Sequence, residues 1–448
     1  MSVLQRFPRL NNLWVDLKHR VGHRLERRRT SYDRECDVDE PRNVLLIVID
    51  SLRADHVGGF GHDRPTTPTL DAFDAASFPR AVAASPWTFP SIPSLLSGRY
   101  PHRHGGTFDE GARDLSSEQF PHRPNPSIPM LPDLLSSAGY DTGLVTAIPM
   151  AERAVGDRFD SVSVRYDDAA GRVDDALSWL DGRDRWFLQV QLGDPHAPLD
   201  VPDRHRSTFD VPEMDGLEDW RFRETTDDPE FEAYRDARRR AYDAAVRGAD
   251  DEVGRLLDAV DDETVVVVCG DHGEAFWEHV ALERELNDDP RGYYGTDHGH
   301  SVFEELARVP LWVRSPTLPT GVRRDPVSLV DVLPTVLGAL DATVPECDGV
   351  DLHGDGRADE PVLCEETAYG YNQRAIWLDD RKVISVADAD ERRAFDLRDD
   401  PDERAPLASV PDDLAEALAS FEGGVRGGDR MDVDDETRDR LSELGYLE

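Results

Sequence analysis

Lysine is nearly missing from this sequence: Lys18 and Lys382 are the only two, so every other strong cation is an arginine. Basic residues total 51 against 92 acidic ones, a net charge of −41. A surface of that sign repels polyanions, which excludes nucleic acid and anionic membranes as general partners. It also strains a compact fold at low salt, a strain relieved once screening shortens to about 3 Å in molar salt. The balance therefore reads as adaptation to very high salt, of haloarchaeal type; an acidic protein of a high-GC organism is the bland alternative. Cysteine is scarce too. Cys36, Cys269, Cys347 and Cys364 offer neither the paired spacing of a zinc site nor a disulfide framework, so apolar packing is their expected place. No apolar stretch approaches bilayer length, and the first residues lack the apolar segment of a secretory signal, so a soluble, cytoplasmic chain is expected.

A length of 448 residues is ample for a large core and suggests more than one folding unit. Residues 1–34 break the acidic trend, with nine basic residues against three acidic ones. Leu10, Leu13, Trp14, Leu17, Val21 and Leu25 recur there at helical spacing, which predicts a basic amphipathic helix. Peripheral membrane contact through residues 1–30 and docking on the chain's own acidic body are both open readings. A linker follows over 35–42.

The stretch on which the rest is organised runs from Asn43 to Gly105. It opens with the continuous apolar run "NVLLIVID" (43–50), the pattern of a strand buried on both faces. Ligands gather outside the carboxyl ends of such strands, which places Asp50 where chemistry is done. Thr88 stands just ahead of a helical pattern marked by Ile92, Leu95 and Leu96, near free N–H groups that favour an anion. A second run, "TVVVVCGDHGE" (264–274), delivers Asp271 and His272, and "GTDHGHS" (295–301) adds His298 and His300. "RWFLQVQLGDPHAP" (185–198) is a strand ending in Asp194 and His196. Residues 126–147 predict a helix, a glycine stop and a strand, the crossover unit of a parallel sheet. A long helix is expected over 236–260, with Tyr242, Ala245, Val246, Val253, Leu256 and Leu257 on its buried stripe. Four short strands between 361 and 398 predict a small antiparallel sheet, and 434–448 an amphipathic helix.

The ordered strings ending at Asp50, then "PSIPSLLSGRYPHRHG" (90–105), "DPHAP" (194–198), "GDHGE" (270–274), "RVPLWVRSP" (308–316), "VSLVDVLPTVL" (327–337) and "FDLRDDPDE" (395–403) resemble the sulfatase family of the alkaline phosphatase superfamily. That resemblance implies an α/β fold: a mostly parallel central sheet flanked by helices, with a small antiparallel subdomain. In this reading residues 43–345 form the catalytic domain and 346–448 the α+β subdomain. It also implies a divalent metal held by Asp50, Asp271, His272 and the oxygen of Thr88, and a second held by Asp194, His196 and one of His298 or His300. Mixed carboxylate and imidazole ligands favour Zn²⁺ or Mn²⁺ over Ca²⁺ or Mg²⁺. Arg53 and Ser91 lie close enough in sequence to suggest substrate contact.

Two departures from the family pattern bear on the reaction. The sulfate-cleaving members make a formylglycine from Cys or Ser; threonine cannot be oxidised to an aldehyde, and Ile92 stands where their motif has Arg. The segment "TAIPM" (146–150) also lacks the lysine and histidine those members carry. Family phosphodiesterases and phosphotransferases use threonine directly, so the resemblance implies Thr88 as nucleophile and favours phosphate over sulfate esters. Three readings stay open: an ester hydrolase acting on a small-molecule, glycan or lipid ester; a transferase of a phosphorylated head group to lipid or glycan; and a non-catalytic binding protein on a degenerate fold.

Overall fold

The computed structural model describes residues 36–447 apart from 110, 112, 167, 200, 215–216, 218–228, 355, 358–359 and 422. The basic helix expected over 1–34 and its membrane contact lie outside the described residues. Nine strands build the central sheet: β1 (Val44–Ile49), β2 (Ala76–Val82), β3 (Asp141–Thr146), β4 (Ser161–Val164), β5 (Trp186–Leu192), β6 (Val265–Gly270), β7 (Arg308–Arg314), β8 (Gly321–Val322) and β9 (Val327–Ser328). Their spatial order is β8-β2-β7-β6-β1-β5-β3-β4, with β9 beside β2. Strands β1 and β3 to β6 pair in parallel, whereas β7 runs antiparallel to both β6 and β2. The sheet is therefore mostly parallel, as the crossover units predict.

The helices that matter here are α1 (Thr88–Ser97), α2 (Pro149–Val155), α3 (Ala169–Leu180), α4 (Pro229–Asp258), α5 (Val332–Ala339) and α6 (Asp435–Glu443). Alternation along β1 explains why its run is apolar throughout. Val44, Leu46 and Val48 face a core shared with Phe89, Ile92 and Leu95 of α1 and Leu333 of α5. Leu45, Ile47 and Ile49 face the opposite core, with Val173 of α3 and Tyr242, Val246 and Val253 of α4. A strand sandwiched between helices has no solvent side to leave polar. Helix α4 begins at Pro229, earlier than the expected 236, and Phe231 and Tyr234 extend its buried stripe.

Beyond residue 346 lie the four expected strands, β10 (Val362–Glu365), β11 (Gln373–Leu378), β12 (Arg381–Val386) and β13 (Glu391–Asp396), in one antiparallel sheet. Helix α6 packs on the first core through Leu441. Where the small sheet meets the large one, charge is buried. Lys382 Nζ lies 2.7 Å from Glu403 Oε1 and 3.4 Å from Glu304 Oε1, over the face of Trp377. His279 Nδ1 is 2.7 Å from Glu305 Oε1 in the same junction.

Two predictions test this junction. Replacing Lys382 by Met leaves the buried Glu403 without its ammonium partner, while Glu304 keeps Arg308, and a loss of about 3 kcal/mol is expected from denaturant unfolding. Burial depresses the His279 imidazole, but the Glu305 carboxylate wins and raises it to about 9. A raised histidine stabilises fully below its unfolded value of about 6.5 and loses that contribution as pH climbs through its folded value. Unfolding free energy should fall between about pH 6.5 and 9, by at most ~3 kcal/mol, and the fall should shrink in His279→Gln.

Candidate functional site

The adjacent strands β1 and β6 end side by side, Ile49 opposite Gly270, so the residues after them, Asp50 and Asp271, share one edge. The turn after β1 is tight. Ser51 is left-handed at φ 58, a conformation costing a non-glycine residue about 1 kcal/mol, and three bonds hold it. Its N–H donates to Asp271 Oδ1 (3.3 Å), its carbonyl accepts from Tyr242 of α4 (2.6 Å), and the Tyr242 oxygen accepts from the Arg53 N–H (3.0 Å). After β6 the chain runs against its neighbours with no room for a side chain: a Cβ on Gly273 would lie 1.8 Å from the Glu305 carbonyl oxygen. That fixes the "DHG" turn.

Thr88 opens α1, whose N-cap, Trp87, supplies no side-chain bond to the first turn. Its Oγ1 is 3.2 Å from Asp50 Oδ2 and 3.1 Å from His272 Nε2. His272 Nε2 in turn lies 3.6 Å from Asp50 Oδ1 and 3.7 Å from Asp271 Oδ2. Gln191 of β5 donates from Nε2 to Asp50 Oδ2 at 2.8 Å. Asp50, Thr88, Asp271 and His272 are fully buried. The structure thus brings the four residues of the first expected metal set together.

Burial pushes both carboxyls up, but they end differently. His272, His196 and His298 pull Asp50 down, whereas the charge of Asp50 adds to burial in raising Asp271. The two carboxylates raise His272 against its own burial. Two carboxylates sharing an unsolvated space with one imidazole lack compensating charge, and a divalent cation suits that donor set. Asp50, Asp271 and His272 offer ligand atoms within 4.8 Å of one another.

The second expected set is brought together only in part. Asp194 Oδ1 accepts from the Ala169 N–H at the start of α3 (3.3 Å), and its buried Oδ2 meets no hydrogen-bond partner among the described residues. Burial raises its carboxyl to about 7. His300 belongs to a separate cluster, with Nε2 3.2 Å from Glu283 Oε1. His298 does reach the site: its ring is 4.4 Å from that of His272 and 4.9 Å from that of His196. Its Nδ1 lies 3.1 Å from both Glu274 Oε2 and Asp297 Oδ1, so the cluster able to hold a second ion is Glu274, Asp297 and His298. Arg53 is committed to Asp55 and Glu278 and donates to the Glu274 carbonyl, so its guanidinium is spent on the scaffold. Ser91 donates to the Asp271 carbonyl at 2.7 Å and braces the second turn against α1.

Sequence reasoning missed Glu274, Asp297, Gln191 and Tyr446. The first two flank His272 and His298 in the very strings that were read, and Gln191 is a polar interruption of an apolar strand. Tyr446 gave no sequence signal.

Residues 42–342 match the sulfatase family. The chain belongs to that family. It is 33% identical over 187 residues to choline-sulfatase of Rhizobium meliloti, a match covering 39% of this chain and 33% of the relative. The chain thus spans about a third of that relative's length. With the low-salt glycan biosynthesis sulfotransferase Agl7 of Haloferax volcanii it shares 26% identity over 348 residues, 74% of this chain and 68% of the relative. Among solved structures, the phosphonate monoester hydrolase of Agrobacterium radiobacter superposes with a TM-score of 0.63 at 18% identity, over 85% of this chain and 94% of that one. BT4656, solved with D-glucosamine-2-N,6-O-disulfate, superposes with a TM-score of 0.66 at 18% identity, over 91% and 98%. These likenesses show that the sulfatase fold is shared. No helix among the described residues is long and apolar enough to cross a membrane.

Metal titration of the apoprotein tests the site. Asp271→Asn is expected to weaken Mn²⁺ or Zn²⁺ binding at the Thr88 site by about 100-fold or more, whereas Asp194→Asn should leave affinity within about twofold. Equal losses would return Asp194 to the ligand set.

Proposed function

We propose that the chain is a metal-dependent ester hydrolase that uses Thr88 as its nucleophile, with phosphate esters preferred over sulfate esters. The observation that carries this reading is the Thr88 oxygen, buried at a helix N-terminus and within 3.2 Å of both Asp50 and His272. Asp50, Asp271, His272 and Thr88 would hold a divalent ion, Zn²⁺ or Mn²⁺ by their mix of carboxylate and imidazole donors, and such an ion supplies Lewis-acid stabilisation of negative charge.

The chain's own residues divide the remaining work. Asp50, kept ionised by the imidazoles around it, accepts the Thr88 proton. The Thr88 oxygen forms a bond to phosphorus while the bond to the alcohol oxygen breaks on the opposite side. The amides opening α1 face the anionic oxygens. His196, whose Nε2 bonds the Tyr446 hydroxyl and meets no carboxylate, takes a proton from solvent at Nε2 and passes it to the departing oxygen. Water then attacks the phosphorus, the bond from phosphorus to the Thr88 oxygen breaks to release phosphate, and Asp50 returns its proton to that oxygen.

One relative supports a second reading. Agl7, matched over most of both chains, is named a sulfotransferase, and an acceptor alcohol in place of water would turn the same intermediate into a transfer reaction on a glycan or lipid. Localisation in the cytoplasm and growth in high salt accompany either reading as proposals from composition.

Aryl sulfates, phosphate monoesters and phosphodiesters assayed in molar KCl with Mn²⁺ or Zn²⁺ test the proposal. Phosphodiester turnover is expected in the wild type, and Thr88→Ala should lower kcat by at least about 10³-fold. Turnover of sulfates alone would reverse the ester preference. Labelled group transfer without net hydrolysis would establish the transferase, and no turnover with no metal uptake would leave a binding protein.

A further inference from the structure

The turn after α6 carries Tyr446 into the candidate site. Its phenol oxygen lies 3.0 Å from His196 Nε2 and 3.3 Å from His298 Nε2. The tyrosine ring centre is 5.5 and 5.7 Å from the two imidazole centres, so it packs on both. His298 packs against His272 with the two rings tilted by 34°, and His272 Nε2 is 3.1 Å from the Thr88 oxygen. The phenol is therefore two imidazoles removed from the nucleophile.

The placement is anchored rather than incidental. Leu441, Leu444 and Leu447 are buried in the core that holds α1. The Tyr446 N–H donates to the Leu441 carbonyl at 2.8 Å, and the Tyr446 carbonyl accepts from the Tyr369 hydroxyl at 3.4 Å. Packing alone would be met by phenylalanine. What the hydroxyl adds is a single group bonded to two histidines.

Ring orientation gives that bond its meaning. His196 Nδ1 lies 2.5 Å from the Ala197 carbonyl oxygen, so Nδ1 carries a proton and Nε2 points at the phenol. His298 Nδ1 faces Glu274 and Asp297, which likewise turns its Nε2 toward the phenol. A phenol has one proton, which goes to the bare Nε2 of His196, so its oxygen joins the second ring by accepting from His298 in the tautomer that carries the proton on Nε2.

We propose that Tyr446 is a positioning residue of the ester reaction, its hydroxyl converging the Nε2 atoms of His196 and His298 on the place where the departing alcohol oxygen is received. This rests on the Thr88 reading given above. No covalent change occurs at Tyr446; it sets how far apart the two Nε2 atoms stand.

Steady-state kinetics of Tyr446→Phe on a pair of esters differing only in the leaving group, 4-nitrophenyl and phenyl, test the proposal. The phenyl ester leaves as the more basic oxygen and needs the aligned imidazoles more. A kcat loss of about tenfold on the phenyl ester and under about twofold on the 4-nitrophenyl ester is expected, with KM held within about twofold. The ratio of the two kcat values does not depend on the folded fraction, so a destabilised variant still gives an answer. Equal losses on both esters, a change in KM alone, or no change would overturn the positioning role. Thr88→Ala run on the same pair keeps the two readings apart: its full activity would sink the nucleophile assignment while leaving the Tyr446→Phe ratio to be judged separately.

Discussion

Two carboxylates forced into one dry space govern this structure. Asp50 and Asp271 follow neighbouring parallel strands in matched register, and nothing in that arrangement lets them separate. Their mutual repulsion, sharpened by the loss of water, must be met by positive charge or by protons. The surroundings answer it in part: His272 lies beside both, Gln191 donates to Asp50, and the Ser51 N–H is turned onto Asp271 by a left-handed residue. What is left over is the electrostatic demand that a divalent cation meets, and the Thr88 hydroxyl stands within it.

The elements around that space serve to keep it rigid and dry. Tyr242 reaches from α4 to bond both sides of the Ser51 turn. Ser91 ties α1 to the backbone of Asp271. Gly270 and Gly273 permit approaches that any side chain would block, to Leu52 and to Glu305 respectively. Arg53 belongs with these supports. An arginine three residues from a strand-end aspartate looks like a substrate contact in sequence, yet its guanidinium is absorbed by Asp55 and Glu278.

Much of the fold was legible because burial on both faces writes itself as uninterrupted apolar strands, and because turn residues punctuate the four short strands of the second sheet. The antiparallel run of β7 carried no such mark: strand direction depends on which edge the chain reaches, and residue order is silent on that. The first cluster was readable since each member ends a strand or opens a helix. The second was not. Asp194 and His196 are close along the chain, but the intervening turn sends the carboxylate to the start of α3 and the imidazole inward. His298 and His300 alternate in direction, one toward His272 and one toward Glu283. Tyr446 arrives from more than 140 residues away in sequence, a distance no local pattern spans. Lys382 is the reverse case: its rarity was plain, while its burial between two glutamates was not.

The central claim is that the Thr88 oxygen itself bonds to the group being transferred. Rapid acid quench of the metal-loaded enzyme during turnover, followed by peptide mass spectrometry, measures this directly. A phosphoryl or sulfuryl adduct on the peptide carrying Thr88, appearing within the first turnover and absent from Thr88→Ala, is the predicted result. An adduct on another residue, or steady turnover with Thr88 never modified, would contradict it.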